Sequence, residues 1–210
     1  MEKKTARLEA FSDGIFGVAI TLLAIEIGIK EYEGATNANL WIKIKQNWPE
    51  YFTYFNSFAT VLLIWMGHNK IIDHLRKFNH WIILLNGLLL MFIVLFPYPT
   101  KLVGSFIGTA AQDTAIGVYA SFTGCITFSM FILGWYISRN PKLMVSPEKG
   151  LAWFKISMRG QVIGFIVYQI AAILALFHYS YIALGITFFM WIFWAILSKD
   201  DKEEGEEEAV

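Results

Sequence analysis

Seven residues in the first half of the chain set groups capable of chemistry among apolar neighbours. Arg7, Phe11, Ser12 and Asp13 lie in the string R-L-E-A-F-S-D, Trp65 and His68 in W-M-G-H, and Asn86 in L-L-N-G. A cation or a carboxylate at bilayer depth costs roughly 2.5 to 3.5 kcal/mol unless it finds a partner. Such groups either bond helix to helix or pass a proton or solute, with Asp13 and His68 as the relay pair. The bonding role is the simpler one. In antiparallel helices Ser12 and Asp13 meet the depth of Trp65 and His68, and a ring N–H can serve a buried carboxylate or amide. His74 and His80, beside Asp73, are six residues apart, which does not match a helical zinc pair, and they read as surface residues. No nucleophile–base pair or metal-ligand set stands out, so neither an enzyme nor a cofactor is expected.

The elements that hold these residues are membrane helices. Hydrophobic residues make up 56% of the chain and charged residues 16%, and the charges cluster between long uncharged stretches. Residues 51–69, 81–100 and 114–138 contain no Asp, Glu, Lys or Arg. Each is close to the roughly 20 residues needed to cross about 30 Å of hydrocarbon. Residues 160–198 are uncharged for about twice that length and must fold back, at H-Y-S-Y over 178–181. With a first helix over about residues 8–29, the expectation is an all-α integral membrane protein of six spans.

Lys and Arg in the short loops orient the spans. Thirteen fall at the N-terminus, in the second-to-third and fourth-to-fifth loops and in the tail; Lys30, Lys43, Lys45 and Lys101 fall on the other side. Both termini are therefore expected in the cytoplasm, and the protein in the plasma (inner) membrane. The first apolar run contains Asp13 and Glu26 and lacks a small-residue cleavage site, so no cleaved signal is expected. Equal numbers of basic and acidic residues, seventeen each, give no hint of a nucleic-acid partner, and one cysteine, Cys125, allows no internal disulfide.

Residues 40–48 mix aromatics with lysine and read as an interfacial segment, after which Pro49 can begin the second span. Phe96-Pro-Tyr-Pro reads as a proline-broken exit from the third span. Ser146-Pro-Glu148 reads as an N-cap opening a short interfacial helix before the fifth span. Residues 199–210, rich in Glu, read as a disordered cytoplasmic tail appended to a six-helix unit over 1–198.

At about 100° per residue, Gly14, Val18, Leu22 and Ile25 share one stripe of the first helix, with Thr21 at its edge and Asp13 about 140° from Val18. Periodicity permits three uses of that stripe: packing against a helix, facing lipid, or lining a pore in which apolar rings gate by dewetting. Glu26, near the outer end, reads as an interfacial carboxylate that can also draw cations to a pore mouth.

R-x-x-x-F-S-D, Trp65-x-x-His68, and Leu-Asn86 followed by Phe96-Pro-Tyr-Pro together resemble the prokaryotic relatives of the endosomal and lysosomal transmembrane potassium channel. In common with that family the chain has no T-V-G-Y-G filter. The resemblance implies a homotetramer in the lipid bilayer, with the first helices around a central pore that passes potassium ions. Carried over by position, Val18, Leu22 and Ile25 are the constriction rings and Thr21 the selectivity-related layer; the family more often has Ile where this chain has Val18. The rival is a small secondary transporter or proton pathway through Asp13 and His68.

Overall fold

The structure is a computed structural model that describes residues 5–25, 27–28 and 36–198. Among these the chain forms α1 (Ala6–Ile25), α2 (Asn37–Gln46), α3 (Trp48–Asp73), α4 (His80–Leu95), α5 (Pro97–Phe106), α6 (Gln112–Ser138), α7 (Pro147–Leu176) and α8 (Ser180–Leu197). Five stretches are long and apolar enough to cross a membrane: α1, the α4–α5 run, α6, α7 and α8. At 26 residues, or about 39 Å, α3 has the length as well. Its apolarity is diluted by Thr53, Asn56, Ser57, Thr60 and His68, all turned into the protein interior.

In the bundle α6 is the central element, packed against α4, α5, α7 and α8, while α1 leans on α3, α4 and α5. Close approach of α7 to α6 depends on small residues. A Cβ at Gly117 would touch the Ala172 carbonyl, and one at Gly124 would collide with the Gln169 amide. This is how membrane helices gain contact without a hydrophobic driving force between them.

Three sequence expectations meet the coordinates directly. Pro49 does open α3, where its missing N–H has no intrahelical partner to lose. The fold-back also falls where expected, with α7 ending at Leu176, α8 starting at Ser180, and His178 at φ 69° making the turn. Both His178 and Ser180 then bond Asp113 at the start of α6. The proline break falls at Phe96, between the end of α4 and the start of α5, but the chain goes on as helix beyond it, because Pro97 and Pro99 occupy a first turn that needs no N–H from them. Thr100 Oγ1 donates to the Phe96 carbonyl (2.9 Å) and closes the junction.

Two further readings change. Ser146 is the N-cap position and Pro147 the first residue of a helix, as expected, but that helix is α7 itself, which runs unbroken for 30 residues with no separate interfacial helix split from it, and the Ser146 side chain makes no capping bond. His74 is no ordinary surface residue. Its ring stacks on Trp153 with centroids 4.7 Å apart, and its Nδ1 lies 2.7 Å from the Lys70 carbonyl oxygen. His80 is exposed. The readings on Glu26, Lys30 and the 199–210 tail lie outside the described residues.

Candidate functional site

Two faces of α1 have different fates. Leu8, Ser12, Phe16, Ala19 and Leu23 recur every three or four residues and are buried. The other stripe is left uncovered by the rest of the chain: Val18 is 51%, Leu22 37% and Ile25 75% exposed, against 1% for Ala19 and Leu23. Thr21 is also exposed, on the edge of that stripe. Its Oγ1 donates to the Val18 carbonyl at 2.8 Å, so the hydroxyl hydrogen is committed to the helix. What remains on the open side is an oxygen with lone pairs, the arrangement a cation ligand requires.

Ser12, His68 and Asn86 form one buried chain. Asn86 Nδ2 donates to Ser12 Oγ (2.9 Å), and Ser12 Oγ donates to the Leu8 carbonyl (2.9 Å). His68 Nε2 lies 2.7 Å from Asn86 Oδ1, and since Asn86 Oδ1 only accepts, Nε2 carries the proton. Phe16 closes the site, its ring 5.4 Å from that of His68. The chain ties α1, α3 and α4 at one depth.

Asp13 and Trp65 form a second, separate contact, Trp65 Nε1 donating to Asp13 Oδ1 at 2.8 Å. Asp13 is exposed, so its bond is worth less than those inside the bundle. His68 and Asp13 therefore answer to different partners and are not bonded to each other. Arg7 and Phe11 are exposed and take no part in either contact among the described residues.

Sequence reasoning missed two further groups. Beyond the C-terminal end of α1, Glu50 Oε2 accepts from the Gly28 backbone N–H (3.2 Å) and from Asn47 Nδ2 (2.9 Å), while Asn47 Nδ2 also reaches the Gly28 carbonyl (3.3 Å). The start of α3 thereby holds Gly28. The signal was Asn47-Trp-Pro-Glu50, a helix start with a carboxylate in its first turn. Deeper in the bundle, Asn56 Nδ2 donates to Tyr119 Oη (3.0 Å), and Ser57 Oγ is 2.8 Å from Thr100 Oγ1 and 3.3 Å from Tyr119 Oη. This buried knot joins α3, α5 and α6, and its signal was the Asn56-Ser57 pair inside an otherwise apolar stretch. No group of three or more His, Cys, Asp or Glu that could hold a metal occurs among the described residues.

Residues 7–97 match the sequence model of a family described as the endosomal/lysosomal potassium channel TMEM175. A potassium channel of Chamaesiphon minutus is 35% identical over 119 residues, which are 57% of this chain and 59% of that relative. One of Streptomyces collinus is 29% identical over 141 residues, 67% of this chain and 68% of that relative. The crystal structure of a lysosomal potassium-selective channel TMEM175 homolog from Chamaesiphon minutus superposes with a TM-score of 0.83 at 27% identity, covering 95% of this chain and all of that one. With five apolar helices of spanning length, these likenesses mark a multi-pass membrane protein.

Proposed function

We propose, from the premise that this chain is a homologue of the TMEM175 channels, that it is a potassium channel whose α1 helices line a central pore in a homotetramer. The supporting observation is the uncovered face of α1. A pore-lining helix must be fixed on one side and bare on the other, and α1 has Ser12, Phe16, Ala19 and Leu23 locked inward while Val18, Thr21, Leu22 and Ile25 stay open. Four copies of the bare face stack apolar rings at Val18, Leu22 and Ile25 around the axis. Four Thr21 oxygens then supply the polar layer that partly replaces an ion's hydration shell. Currents of the purified protein in planar bilayers test this. Ohmic potassium flux needing no counter-ion supports a channel, and strict coupling to a second ion overturns it.

The polar layer yields its own expectation. Thr21→Val removes the outward oxygen and keeps the shape, so the preference for potassium over sodium should fall, measured as a shift in bi-ionic reversal potential. An unchanged reversal potential removes Thr21 from selectivity.

Counting α3 as the sixth span, with thirteen Lys and Arg on one side and four on the other, supports a reading in which both termini lie in the cytoplasm and the protein in the plasma membrane. Reporter fusions at Val210 and in the segment between α1 and α2 should report opposite sides. Finding them on the same side defeats the six-span arrangement.

A further inference from the structure

Each protomer holds an internal cavity of about 40 Å³ between α3, α6, α7 and α8, away from the bare face of α1. It exists because α7 carries Gly160 and Gly164 where α8 crosses. A Cβ on either glycine would run into Leu197 or Trp194, so the glycines let those large side chains lie on the α7 backbone and wall the space.

The lining is largely apolar, with polar groups converging at depth. Thr60, Thr123 and Thr127 each donate to the carbonyl four residues earlier (2.7, 2.8 and 3.0 Å) and so turn only lone pairs elsewhere. Tyr168 Oη accepts from Trp194 Nε1 (3.1 Å), and its own hydrogen is taken by no protein group among the described residues. Gln161 is the decisive member. It is 8% exposed, lines the cavity, and its amide makes no hydrogen bond to the rest of the described protein. A primary amide held in this way in an apolar interior is costly unless something polar reaches it.

We propose that this cavity is an aqueous crevice, a water-binding site in each protomer that reaches mid-membrane and is separate from the central axis. The volume accommodates about three waters at roughly 10–15 Å³ each, and the acceptors and donors named above give each of them several partners. Burial sets its direction. Thr60, Thr123 and Tyr168 close one end at 5%, 2% and 1% exposure, while Lys70, Trp153, Ser157 and Ser198 at the other end are only half-buried. Water enters from the end where Lys70 Nζ donates to the Ser198 carbonyl at the close of α8. The closed end abuts the Asn56–Tyr119 knot, since Thr60 bonds the Asn56 carbonyl and Thr123 the Tyr119 carbonyl. Dry protein thickness is therefore reduced to the outer part of the bundle at this point.

The test uses a thiol probe small enough for a narrow crevice, Ag⁺ added in water to the full protein in nanodiscs. Cys125, two residues from Thr127 and about 200° around α6 from it, does not line the cavity and is the internal reference. In a Cys125→Ala background, Thr127→Cys should lose its free thiol under exposure that leaves Cys125 of the wild type intact. Thr123→Cys, one turn deeper, should do the same, and it decides the matter if the first variant does not fold. Thermal melting of Gln161→Leu is the second measurement. Replacing an amide already satisfied by water gains nothing, so the midpoint should not rise, whereas in a dry cavity the exchange relieves a stranded polar group and raises it. Thiols no more reactive than Cys125, or a higher midpoint for Gln161→Leu, overturn the crevice. Neither outcome bears on the α1 pore, whose own test is conduction.

Discussion

Leu22→Ala and Ile25→Ala are each expected to raise single-channel conductance, with Val18→Ala acting in the same direction. The three side chains stand 37%, 75% and 51% exposed on the face of α1 that the rest of the chain leaves bare. In the proposed tetramer these side chains would form a narrow apolar neck whose barrier is the cost of wetting the space, and removing methyl groups from all four copies would widen and wet it together. Conductance should climb about tenfold for every ~1.4 kcal/mol taken off that barrier. Burial also separates neighbours on the same helix. A cysteine at Val18, Leu22 or Ile25 should bind aqueous thiol reagents that block current. One at Ala19 or Leu23, each 1% exposed, should not. If all three ring truncations leave conductance unchanged in intact tetramers, the bare face is a seam or a lipid surface and the pore lies elsewhere.

His68→Ala and Asn86→Ala should destabilise the folded protein by about 1 to 3 kcal/mol, the cost of stranding a buried polar partner. Asn86 is the larger loss of the two, because it bonds both Ser12 and His68, and its removal leaves His68 Nε2 without an acceptor. Membrane hydrogen bonds measured pairwise average only about 0.6 kcal/mol. The stranded-group cost exceeds that figure here because the site is sealed: Ser12 and His68 are 0% exposed and Asn86 1%. Asp13→Ala should cost less, since Asp13 faces outward and gives up one bond to a half-buried Trp65. Melting curves in detergent give the order, Asn86 and His68 variants below Asp13→Ala and wild type. The same midpoint for all of them, with ion flux lost in His68→Ala, favours the relay reading of His68 over the structural one.

Charge placement and apolar run length were enough to read an all-helical membrane chain, the helix start at Pro49 and the turn at His178, because lipid punishes stray charge and unpaired backbone at every residue. They also brought Ser12 and His68 to one depth, since antiparallel helices of known length align their ends. Which face of α1 stays bare was beyond them. Lipid, a neighbouring helix and a hydrophobic pore all accept Val18, Leu22 and Ile25, so the hydrophobic pattern carries no contrast between inside and outside in a bilayer. The partition of the polar residues was equally hidden. Asp13 bonding Trp65 while Ser12 bonds Asn86 depends on helix rotation, and one residue of rotation, about 100°, would exchange them. The Asn56–Ser57–Thr100–Tyr119 knot joins groups 43 to 63 positions apart. The cavity beside Gln161 depends on where Trp194 and Leu197 come to rest on two glycines. Such contacts are set by how whole helices pack across the bundle, and local sequence, whose hydrogen bonds close within four residues, holds no record of them.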